Sequence, residues 1–151
     1  MIIQLRHRHM PERVLYECEA DSIGSCVERA IKEDVDLTCV SLQAANLCGR
    51  DLRNGKLRHA DIRAADLSKS NAVSINLEGA YAAGANLSLM DASNSILRYV
   101  NARGADARGL SISGADVRCL ILRGADVTGI ITDDDSKLDG IDWSGSIFLN
   151  K

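Results

Sequence analysis

His7 and His9 stand two residues apart in a segment that alternates as a strand does, so both imidazoles leave one strand face and could share a transition metal. No third ligand stands nearby in sequence, and the pair reads as solvated. Asp133, Asp134 and Asp135 could attract a cation, yet a charge run in a loop is ordinarily just hydrated. The stretch from Gly49 to Lys56 has the look of a phosphate-binding loop. Its glycines are one residue too far apart, and Leu57 stands where Ser or Thr is needed to hold magnesium. No nucleophile, base and orienting acid fall together. Asn86-Leu87-Ser88 matches a glycosylation sequon, which has no meaning in a cytoplasmic protein. The five cysteines (Cys18, Cys26, Cys39, Cys48 and Cys119) are odd in number and include no CxxC pair, the usage of reduced thiols in a cytoplasm. The expectation is a protein without catalytic residues, cofactor or metal.

The elements that would position these residues follow an unusual period. From Val35 to Gly129 the 151-residue chain divides into nineteen consecutive blocks of five without an insertion. The middle residue of every block, from Leu37 through Leu57, Leu77 and Leu97 to Val127, is Leu, Ile, Val or Ala. The residue two before it is Ala in eight blocks, and the residue just before it is Asp or Asn in thirteen. Neither the 3.6-residue period of a helix nor the two-residue period of a strand produces this pattern. With one Trp, three Tyr and one Phe, the interior must be filled by aliphatic side chains.

Blocks such as Ala65-Asp66-Leu67-Ser68-Lys69, and the Gly-Ala-Asp-Val runs at 114–117 and 124–127, resemble the A(D/N)LXX consensus of the pentapeptide-repeat family. The resemblance implies a right-handed quadrilateral β-helix, four blocks to a coil, with the central residue and the one two before it pointing inward. Small Ala beside large Leu can fill so narrow a core. Asp and Asn can bond neighbouring backbone groups at the corners, and glycine at block ends eases the turns.

Residues 1–34 lie outside the repeat. Ile2–His9 and Val14–Ala20 read as strands around a turn at Met10–Arg13. Asp21 or Ser22 should cap a helix reaching about Asp34, with Ile23, Cys26, Val27, Ala30 and Ile31 on one stripe. This β-β-α unit is expected to cap the open end of the solenoid, with the repeat domain running over 35–150. The register breaks near 133–135 and resumes one residue late, making Leu138, Trp143 and Phe148 central. Arg50 occupies an inward position, where a lone charge is costly, and should reach an acid in the N-terminal unit, Asp34 or Asp36 first. Ile75 and Met90 should fill the space left by Ala82 and Ala92, and Val100 and Leu110 that left by Ala102 and Ala107.

The net charge of −3 excludes a generic basic nucleic-acid binder, and direct nucleic-acid binding is not expected. No targeting segment and no membrane span is read. The repeat body is slightly basic, and its arginines gather on two adjacent faces: Arg58, Arg98 and Arg118 on one, Arg63, Arg103 and Arg123 on the next. Tyr81, Ile96, Tyr99 and Ile121 occupy outward positions near the same corner, an interface composition. Trp143, Ile147 and Phe148 make the last blocks a candidate homodimer end. The expected role is a non-enzymatic interaction or scaffold module for a protein partner. Some members of the resembled family mimic B-DNA and bind DNA gyrase, which requires a predominantly negative surface and usually a dimer joined at the C-terminal ends. That is the alternative, from which the positive repeat body departs while the aromatics of the last coil match it.

Overall fold

The computed structural model describes residues 1–148, so the expected end of the repeat at 150 lies outside the described residues. β1 (Ile2–Arg6) and β2 (Val14–Glu19) form an antiparallel hairpin with a bulge between Leu5 and Arg6. The bulge ends β1 before the expected His9 and bends the chain toward the solenoid. There Arg8 N–H donates to the Cys39 carbonyl (2.8 Å) and Ser41 N–H to the Arg6 carbonyl (2.8 Å). The hairpin thus continues as a strip paired with the first coil.

α1 (Ile23–Lys32) follows, with Ser22 as its N-cap: the Ser22 hydroxyl accepts from Ser25 N–H at 3.1 Å. Gly24, Cys26, Val27 and Ala30 are its buried face. Gly24 permits the close approach, since a Cβ there would stand 2.8 Å from both Arg50 Nε and the Asn46 carbonyl. Leu5, Cys26, Val27 and Ala30 join the solenoid interior in one continuous apolar cluster.

From Asp36 onward the chain winds in coils of twenty residues held by parallel bridges. Four columns of bridges run up the solenoid, one column following Asp36, Lys56, Asn76, Ile96, Asp116 and Lys137. The corners are β-turns, and in most of them the carbonyl of the central residue accepts from the N–H three residues on, as Leu37 does from Val40 at 3.0 Å. The third turn position is left-handed, and eleven non-glycine residues from Cys39 to Cys119 adopt it. Asp and Asn before the centre accept from the backbone N–H two residues on, as in Asp36 to Thr38 (2.9 Å) and Asp91 to Ser93 (3.0 Å). This bond gives the thirteen Asp and Asn residues their physical reason.

Every central residue from Leu37 to Val127 is buried, as are Ile75, Met90, Val100 and Leu110. An apolar void of about 20 Å³ remains among Ala82, Met90, Ala92 and Ala102. Bridges advance by twenty residues through Ser111 to Ile131, then by twenty-one from Asp116 to Lys137 onward. The additional residue is absorbed around Asp133, whose carboxylate accepts from Gly114 N–H (2.8 Å) and Ser136 Oγ–H (2.9 Å). Beyond it the central positions lose their burial. Leu138 and Phe148 are exposed and Trp143 is half-buried. These residues sit in the last described coil, which has a neighbouring coil on one side.

Candidate interaction surface

A central residue points inward, so the residues before and after it flank it on the same outer face. That geometry brings Asp and Arg two apart into register. Arg53, Arg63, Arg108 and Arg118 each fork onto Asp51, Asp61, Asp106 and Asp116, with Nε–oxygen distances of 2.8 or 2.9 Å. The guanidinium beside each carboxylate holds it below the usual range, to about 2 for Asp51.

Stacking adds pairs between coils. Glu78 lies 3.5 Å from Arg58 Nε and 3.1 Å from Arg98 Nη2, and Asp116 lies 3.8 Å from Arg98 Nε. The face carrying Arg58, Arg98 and Arg118 is therefore an alternating ladder of charge paired within the chain, in which the buried Arg98 Nε is left without a hydrogen-bond partner. Glu78, at the position where its stacked neighbours have Arg, is the residue that neutralises it.

The next face differs. Arg63 is paired with Asp61, but the residues before the central positions above it are Tyr81, Asn101 and Ile121. Arg103 and Arg123 are exposed there, and neither has an ion-pair partner among the described residues. Tyr81 (41% exposed) is stacked by Arg8, whose guanidinium carbon is 3.8 Å from the ring centroid. Sequence reading missed Arg8, because it reaches the face from the hairpin extension. Tyr99 is 60% exposed. Ile96 and Ile121 are half-buried, shielded within their bridge columns, and are not the open apolar residues expected.

Arg50 does turn toward the N-terminal unit, but its partner is Glu28 of α1 (3.0 Å), with Ser22 and Ser25 hydroxyls at 3.3 and 3.2 Å. Asp34 instead pairs with Lys56, and Asp36 is engaged by Thr38. At the other end Trp143 and Phe148 stack with centroids 5.5 Å apart, beside Ile147. His7 and His9 have ring centroids 6.0 Å apart, and no group of three metal-ligating side chains exists among the described residues. No helix among the described residues is long and apolar enough to cross a membrane.

The family model for pentapeptide repeats matches the chain in eight copies, with matches over 36–71, 60–98 and 73–109. The chain belongs to the pentapeptide-repeat family. A solved pentapeptide-repeat protein from the cyanobacterium Cyanothece 51142, Rfr23, is 33% identical with a TM-score of 0.58, over 62% of this chain and 63% of its own. The chain thus spans less than two thirds of that relative's length. A pentapeptide-repeat protein of the Arabidopsis thaliana thylakoid lumen aligns at 22% identity over 74% of this chain and 63% of its own, with a TM-score of 0.34. QnrB1, a plasmid-mediated fluoroquinolone resistance protein, aligns at 16% identity over 73% of this chain and 80% of its own, with a TM-score of 0.30. At those scores neither carries an argument about this chain. No curated protein matches it. The fold is the right-handed β-helix of pentapeptide-repeat proteins, which are generally structural or interaction modules.

Proposed function

We propose that the protein is a non-enzymatic interaction module whose partner is a protein presenting carboxylates to the Arg103–Arg123 face. The observation that carries this reading is the asymmetry of ion pairing. Arg58, Arg98 and Arg118 are paired with Glu78 and Asp116, whereas Arg103 and Arg123 form no ion pair among the described residues and share only the longer-range field of Asp142, next in their column. Tyr81 lies lower on this face with Arg8 and Arg63, and Tyr99 stands at the neighbouring edge beside Arg98 and Arg118, both partly exposed. The test is capture from lysate with the full chain as bait, beside an Arg103→Glu, Arg123→Glu double variant and an Arg58→Gln control on the satisfied ladder. The reading requires loss of an acidic partner in the double variant alone, with capture weakening as salt rises. An identical set of captured proteins from all three baits would refute it.

In this reading the β-β-α unit over 1–34 serves as the cap of a repeat domain over 35–150, supported by its backbone bonds to the first coil. We also propose an end-to-end homodimer through about 138–150, supported by the exposure of Leu138, Ile147 and Phe148 at 40, 49 and 53%. Sedimentation decides it: a monomer mass at tens of micromolar, with Trp143→Ala changing stability but not mass, would refute the dimer. The gyrase reading finds no specific support, since mimicry of DNA calls for a predominantly negative surface and Arg103 and Arg123 keep exposed positive charge on the repeat body. A supercoiling assay with no inhibition by the purified chain closes it.

A further inference from the structure

We propose that Cys18 and Cys26 are an oxidisable dithiol whose disulfide clamps the N-terminal hairpin to the helix that holds the first coil. Cys18 lies on β2 and is half-buried, while Cys26 lies on α1 and is fully buried. Their sulfurs are 3.0 Å apart, about 1 Å beyond the length of a disulfide bond. A small shift of the hairpin on the helix closes that gap. The two residues belong to different elements, so the bond adds a covalent tie between units that otherwise meet through side-chain packing and the hydrogen bond from the Arg29 guanidinium to the Glu19 carbonyl (3.1 Å). The helix it would fix carries Glu28, whose carboxylate accepts from Arg50 (3.0 Å) and from Asp51 N–H (2.8 Å).

The oxidant is a low-molecular-weight disulfide such as glutathione disulfide. The more exposed Cys18 meets it first. The Cys18 thiolate attacks one sulfur, the glutathione S–S bond breaks, and one glutathione leaves as thiolate. Cys26 then gives its proton to solvent base and attacks the Cys18 sulfur, expelling the second glutathione. Two protein thiols lose two electrons, and one disulfide becomes two thiols. Burial and the sulfur contact push the Cys26 thiol up to about 12, which makes the second step the slow one and keeps the reduced pair stable between oxidative episodes.

The experiment incubates the folded full-length chain in glutathione redox buffers and maps the quenched peptides by mass. A Cys39→Ser, Cys48→Ser, Cys119→Ser background removes competing thiols, and the unsubstituted chain is mapped in parallel. The expected product is an intramolecular link between residues 18 and 26, about 2 Da lighter than the dithiol. The linked chain should melt roughly 5–10 °C higher, as expected for closing a short loop in a domain of this size. Cys18→Ser should abolish both the link and the rise. Glutathione adducts with no link, or a link that forms only after denaturation, would overturn the dithiol. A link with an unchanged or lowered melting temperature would overturn the clamp.

Discussion

Met90→Ala tests the core directly. Met90 occupies the position two before the centre, is 2% exposed, and borders the void shared with Ala82, Ala92 and Ala102. Truncation removes three heavy atoms, for a transfer cost of about 2.4 kcal/mol at ~0.8 kcal/mol per methylene-sized group. It also enlarges the void by about 60 Å³, adding roughly 1.4 kcal/mol at ~24 cal/mol per Å³. The coils cannot close in on the space, because the blocks around Met90 are bridged to the coil above and below. The expected loss is therefore about 4 kcal/mol, or roughly 8–16 °C in Tm for a domain of this size. Met90→Leu, which conserves most of the volume, should cost under about 1.5 kcal/mol. Circular dichroism melts with denaturant titrations measure both. Equal melting temperatures for wild type and Met90→Ala would refute inward packing at this position.

Glu28→Ala should destabilise by about 1–3 kcal/mol, because it strips the partly buried Arg50 guanidinium and the Asp51 N–H of their acceptor. Glu28→Gln, which can still accept from Asp51, should cost less in the same denaturant assay. Acid should weaken the fold: Asp51, Asp61, Asp106 and Asp116 have folded pKa values below their unfolded ones, so their contribution is complete above about pH 4. It drains away as pH falls toward about 2, the folded value for Asp51, and a stability profile flat across that interval would contradict the forked pairs. Gly124→Ala should destabilise by about 1 kcal/mol through backbone conformation alone, since φ is +69° and no heavy atom lies within 4 Å of the added Cβ. Ala44→Gly, at φ 57°, should relieve that strain and raise the melting temperature by a few degrees.

Much of the architecture was legible because the repeat makes local and global demands agree. A strict five-residue period with Leu at the centre and Asp or Asn before it can be read one block at a time. The one-residue slip near Asp133 was legible for the same reason, since it moves every later apolar residue by one. The candidate surface was only half legible. Column membership follows from counting by twenty, which placed Arg58, Arg98 and Arg118 together, but the sharing of Glu78 between two of them depends on side-chain reach across coils. Counting also overstated Ile96 and Ile121, since an outward position in a stacked column is still covered by the neighbours above and below it.

The sequence by itself determined the period, the inward and outward positions, the β-β-α order of the first residues and the aliphatic nature of the core. These are properties of single blocks and of short-range hydrogen bonds, repeated until they add up to a solenoid. Only the tertiary structure decided what meets at the junction of unlike parts. Arg50 found Glu28 rather than Asp34 or Asp36, because α1 packs closely on the first coil at Gly24 and presents its middle turn to Arg50, not its end. Arg8 came to cover Tyr81, and Cys18 came to face Cys26, for the same reason. The docking angle of a hairpin and a helix on a coil is set by mutual packing of three surfaces, and no local period encodes it.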